Sequence, residues 1–245
     1  MRAVAGGLAA AVLAGCATRE APPLAESPWA RQSGTPGAGA KWSHHPLPGK
    51  PATQFSYVRK DGRDAIAVRS EASASLLRYP VRIPAAELGL LQFSWLVPAL
   101  MEQADLGRRD RADAAVRVIL AFDGDRKRFT ARDAALSELV RTLTGDAMPY
   151  ATMMYVWSRQ RPVGAVIRNP RTDRIRKLVV ESGTARLNQW LDYERDVRAD
   201  YERVFGEKPG ALVGFAIMTD SDNTRSRALA WYGPLRHLPP AAGGR

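Results

Sequence analysis

From Phe55 onward, apolar and polar positions alternate in short runs broken by turn residues. Phe55-Ser56-Tyr57-Val58-Arg59 alternates, Asp61-Gly62 marks a tight turn, and Ala65-Ile66-Ala67-Val68-Arg69 alternates again, which predicts a β-hairpin. A further strand fits Ala74 to Ile83, with Pro80 placing it at an edge or a bulge. Leu90 to Val97 and Ala114 to Phe122 are apolar almost throughout and read as central strands. Met153 to Trp157, Leu178 to Glu181, Ala211 to Met218 and Arg227 to Tyr232 complete the strand set.

Two segments switch to helical spacing. Ala135, Leu136, Leu139, Val140 and Leu143 recur at that period before Gly145. Between Asp192 and Phe205, Tyr193, Val197, Tyr201 and Val204 form one stripe, terminated by Gly206 and Pro209. Roughly eight to ten strands with two inserted helices predict a mostly-β fold, an antiparallel β-sandwich of jelly-roll type over residues 51–238. Residues 239–245, with Pro239-Pro240 and Gly243-Gly244, read as a disordered tail.

The N-terminal part follows no such pattern. Arg2 precedes an apolar run, Ala3 to Leu13, too short to span a bilayer, and Leu13-Ala14-Gly15 leads into Cys16, the chain's one cysteine. This is the pattern of a lipoprotein signal over residues 1–15, with Cys16 the acylated first residue of the mature chain. Acyl chains contribute about 0.8 kcal/mol per buried methylene, and several together hold a protein on a membrane. Ala17 stands where Asp would mark inner-membrane retention, so an outer-membrane lipoprotein facing the periplasm is expected. Residues 16–50 are rich in proline and glycine without apolar periodicity and read as a flexible tether.

Cleavage leaves 230 residues with 35 Lys and Arg against 25 Asp and Glu, a net charge of +10. Runs such as Arg108-Arg109-Asp110-Arg111 intersperse the signs, and the compartment is wrong for nucleic acid. Anionic envelope polymers are the more suitable partners, besides the membrane reached through the lipid anchor. With one cysteine there are no internal disulfides to stabilise the fold.

Absent motifs prune the enzyme classes. There is no Gly-x-Ser-x-Gly elbow, phosphate-binding glycine loop or His-Glu-x-x-His, and the three histidines (His44, His45, His237) lie in the tether and near the tail. No cofactor is called for. The densest polar cluster is Thr219-Asp220-Ser221-Asp222-Asn223-Thr224. Asp220, Asp222 and Asn223 offer oxygens to Ca²⁺ or a ligand, while the alternative is an Asx-rich turn bonded to its own backbone. Arg225 and Trp231 stand where an EF-hand needs its sixth-position glycine and twelfth-position acid.

Arg195, Asp196 and Asp200 form a second charged cluster, with Arg203 as a local counter-charge. Glu181 with Asp113, Asp220 or Asp222 could supply a glycosidase pair. Trp157 and Trp231, each beside polar residues, are the candidate sugar-stacking rings among Trp95, Trp157, Trp190 and Trp231.

Pro149 to Ser158, Val180-Glu181-Ser182-Gly183, Trp190 with Arg195-Asp196-Val197, and Ala216 to Thr224 with Tyr232-Gly233 together resemble the bacterial domain-of-unknown-function family 3047 over residues 55–236. The resemblance implies an envelope protein, and its strand order is similar to galactose-binding-like jelly rolls. In that family glycine is common where this chain has Arg225. The expectation is an anchored, non-catalytic sandwich that binds a ligand such as a glycan. Its rivals are a hydrolase of envelope polysaccharide and a structural partner in an envelope complex.

Overall fold

A computed structural model describes residues 23–39 and 41–240, so Cys16, its signal and residues 241–245 lie outside the described residues. The elements run α1 (Pro28–Gln32), β1 (Ser43–Pro46), β2 (Gln54–Lys60), β3 (Arg63–Glu71), β4 (Ser75–Ile83), β5 (Leu90–Leu96) and β6 (Ala114–Phe122). Then follow α2 (Ala131–Thr144), β7 (Ala151–Ser158), β8 (Val166–Asn169), β9 (Thr172–Ser182), β10 (Trp190–Asp196), α3 (Val197–Phe205), β11 (Leu212–Asp220), β12 (Arg227–Tyr232) and β13 (Arg236–Leu238). None of the described helices is long and apolar enough to cross a membrane.

The strands form two sheets, in the orders β1-β4-β11-β6-β7-β9-β8 and β10-β5-β12-β3-β2, with β13 added to β5. Within them, β3-β12-β5-β10 faces β4-β11-β6-β7; successive strands from β3 to β6 alternate between the two sets, and β6 and β7 are neighbours in one of them. That is the jelly-roll winding. All pairings are antiparallel except β7 with β9.

Alternation decides which side chains enter the space between the sheets. In β3, Ile66 and Val68 point inward while Arg63, Arg69 and Glu71 stay exposed. Phe93 stands at the centre, stacked on Tyr155 and Tyr193 and tilted against Trp95, at centroid distances of 5.1–5.5 Å. Such rings supply most of the burial that a fold without disulfides requires. Pro80 lies beyond the reach of β1 and opposite the β11 bulge at Leu212/Gly214, which removes the need for its missing N–H.

Two expectations need correction. The tether expected over 16–50 is already part of the fold from residue 23. Trp29 and Trp42 are buried, 4.8 Å apart, and Trp42 packs on Tyr79, while β1 pairs with β4. Proline and glycine set the composition there, but two indoles set the energetics. The helix expected from Asp192 begins only at Val197. Residues 190–196 are a strand paired with β5 throughout, and the Asp196 side chain accepts the Ala199 N–H at 2.9 Å to start α3. The predicted α2 is present, capped by Thr130 and ended by Gly145 at φ +80°. With the short α1, the described helices number three.

Candidate functional site

The Asp-rich turn closes one end of the sandwich. Asp113, ahead of β6, accepts from the Asn223 and Thr224 backbone N–H groups and from both side chains, at 2.6–3.1 Å. Asp220 takes two bonds of 2.8 Å from Arg117 and one of 3.1 Å from the Ala114 N–H, and Asp222 pairs with Lys50. Oxygens of Asp113, Asp220 and Asp222 come within 4.8 Å of one another. Each carboxylate is nevertheless committed to cations or several donors, so the donor set does not fit a calcium ion. Asp220, Asp222 and Asn223 therefore make a hydrogen-bonded turn. Beside it Lys177, buried on the outer face of the seven-stranded sheet, donates to the Leu106 carbonyl at 2.9 Å.

The other expected residues are also held locally. Trp157 is 2% exposed, its indole N–H bonded to the Gly183 carbonyl, so it is core rather than platform. Glu181 accepts from Tyr193, Arg186 and the Ser182 N–H at 2.8–3.1 Å. Arg195 makes a bidentate pair with Asp200, which also accepts from Tyr155, while Asp196 caps α3 and Arg203 donates to the Gly164 carbonyl instead. Burial first, then the charge of Asp200, pushes the Tyr155 hydroxyl well above its ordinary range, so it remains a donor. Glu181 and Asp220 share no partner, and neither lines the cavity described next.

The outer face of the six-stranded sheet is different. Trp190 of β10 and Trp231 of β12 both stand opposite Leu96 of β5, so the three side chains project in one row on the solvent side. Both indoles are half-buried, and Leu96 beneath them is 4% exposed. The Asp61-Gly62 turn, at φ +52° and +79°, carries a cation on each side: Lys60 lies 5.4 Å from the Trp231 ring and Arg63 5.2 Å from Trp190.

Next to these rings opens a cavity of about 510 Å³ lined by Arg63, Gln92, Ser94, Asp192, Glu194 and Arg236, among others. Arg63 pairs bidentately with Asp192, Gln92 donates to Glu194 at 2.8 Å, and Arg236 donates to Gln32. Flat apolar rings bordered by amides and charged groups are the equipment for stacking and hydrogen-bonding a polyhydroxylated ring. Of the expected site residues Trp231 belongs to this face, and Asp196 ends the same side of β10. Trp190 was among the rings weighed, whereas Asp192 and Glu194 were hidden by the helical stripe through Tyr193, although their period of two with Trp190 marks one face of a strand.

Among solved structures, the chain is similar to the xyloglucanase domain of NopAA, a type three effector from Sinorhizobium fredii, in complex with cellobiose. Identity is 9%, the match covers 82% of this chain and 94% of that one, and the TM-score is 0.42. No curated protein matches. The family model described as "Protein of unknown function (DUF3047)" matches residues 40–236, which is most of the sequence. The chain belongs to the DUF3047 family.

Proposed function

We propose that this protein is an envelope lipoprotein whose jelly roll binds a glycan on the outer face of the six-stranded sheet without turning it over. The observation that carries this reading is the row Trp190–Leu96–Trp231, two half-buried indoles held in register beside a polar cavity. A sugar ring would stack on either indole, displacing Arg63 or Lys60, while Gln92, Asp192, Glu194 and Arg236 take its hydroxyls. Binding rather than hydrolysis is supported by the carboxylates themselves. Asp192 is paired with Arg63 and Glu194 accepts from Gln92, so both carboxylates are engaged in the polar rim.

The anchor in this proposal is Cys16, seven residues before Pro23, a span of at most about 25 Å when extended. The globular part would then work close to the outer-membrane surface. Mass spectrometry of the N-terminal peptide tests the anchor: a diacyl or triacyl Cys16 supports it, and an intact chain from Met1 refutes it. A thermal-shift screen of soluble glycans, repeated on Trp190→Ala and Trp231→Ala, tests the ligand, because anything that prefers the native state raises its melting temperature.

A further inference from the structure

The glycan reading leaves α2 unused. Asp133 and Ser137 turn inward, and Asp133 is tied to Thr130 and to Thr172 of β9. On another side of the helix, Arg132, Leu139 and Leu143 are spaced by seven and four residues and so share one stripe. Leu139 is 55% and Leu143 63% exposed, two of only four exposed large hydrophobic side chains among the described residues. Scattered exposed leucines need no explanation, but two on one helical stripe that begins at an arginine are an organised surface.

The arginine end of the stripe continues into a strongly basic region. Segments 125–133, 168–176 and 202–208 carry ten Arg or Lys against five Asp or Glu, so these 25 residues hold +5 of the chain's +11. Contacts bring the segments together: Arg132 donates to the Pro170 carbonyl in the β8–β9 turn at 3.2 Å, and Arg128 and Arg174 both pair with Glu207. Arg168 and Arg171 remain exposed on that turn. Burial first, then repulsion from Arg168, lowers Arg176 from the usual guanidinium range.

We propose that α2 and the β8–β9 turn form a docking face for an anionic bilayer surface, with Leu139 and Leu143 entering the boundary between headgroups and acyl chains and the arginines meeting lipid phosphates. A soluble polyanion would use the arginines and leave the leucine stripe without purpose. A lipid surface uses both, as interfacial amphipathic helices do. The inference is independent of acylation and of glycan binding. It concerns which side of the domain lies on a membrane.

The experiment is co-sedimentation of the chain from Ala17 onward, which keeps every described residue, with vesicles of phosphatidylglycerol and phosphatidylethanolamine or of phosphatidylcholine alone. Binding to the anionic vesicles is expected, weaker by about tenfold on neutral vesicles and at high salt. Leu139→Ser/Leu143→Ser and Arg132→Ala/Arg171→Ala should each weaken it by about tenfold. Circular dichroism and melting temperature should stay unchanged, and Arg69→Ala/Arg227→Ala, on the far sheet, should bind like the wild type. Absence of binding to anionic vesicles, or face variants that bind like the wild type, would overturn the proposal. So would an unaffected leucine variant combined with competition by soluble polygalacturonate, which would assign the arginines to a polyanion.

Discussion

Arg117 of β6 and Asp220 of β11 meet through two bonds of 2.8 Å, and both side chains are 5% exposed. A charge pair so far from water is held by geometry: Asp220 also accepts the Ala114 N–H, and Arg117 reaches the Ala112 carbonyl. Deleting one partner strands the other. Asp220→Ala should therefore cost about 3–5 kcal/mol in denaturant unfolding, more than the loss of a turn cap. Chelator should leave the wild-type melting temperature unchanged. A chelator-sensitive wild type would restore the calcium reading.

Arg225 adopts φ +50°, a left-handed conformation that costs an L-residue about 1 kcal/mol or more and glycine almost nothing. Arg225→Gly should raise stability by about 1 kcal/mol, less the extra freedom that glycine gives the unfolded chain. Urea midpoints measure it, and a destabilised variant would show that the Arg225 side chain contributes more than the strain.

Burial first, then repulsion from Arg117, lowers the Lys177 ammonium from 10.5 to about 7. Between those values the unfolded chain keeps a proton that the folded chain has released, so this residue's contribution to stability improves as pH rises from 7 towards 10. Below about pH 7 both states are protonated and the full penalty of a buried charge applies. Lys177→Met should thus be more stable than the wild type at pH 7, with the difference shrinking by pH 9. Urea midpoints across that range check the sign; a gap that stays constant would contradict it.

Trp29 lies in the segment whose composition reads as tether, yet its ring is fully buried. Trp29→Ala should destabilise by about 3–5 kcal/mol, the range for emptying a core tryptophan site. A free tether would register no change in melting temperature.

The alternation of β2 to β4 exposed one side of the sandwich in the sequence because each of these strands buries one face more than the other, while β5 and β6, buried on both faces, showed as continuous apolar runs. Residues 190–196 hid their strand because Tyr193 falls in phase with Val197, Tyr201 and Val204, and a period of 3.6 cannot be separated from 2 over so few positions. The site was legible only in part for a related reason. Trp157 and Trp231 look alike in sequence, each beside polar neighbours, and only the facing of β7 and β12 sends one inward and the other to solvent. Glu181 and Asp220 each promised chemistry as isolated acids. Glu181 is held by Arg186 and Tyr193 five and twelve residues on, and Asp220 by Arg117 from a strand 103 residues away, pairings that no local motif announces.

The central claim is that Trp190 and Trp231 form a sugar-binding platform, and tryptophan fluorescence titration with N-acetylglucosamine and β-1,4-glucan oligosaccharides tests it most directly. A saturable change with at least one of these is predicted. It should weaken by about tenfold, or about 1.4 kcal/mol, in both Trp190→Ala and Trp231→Ala and persist in Trp157→Phe. No saturable change with either oligosaccharide, or affinity unaltered in the two alanine variants, would contradict the account.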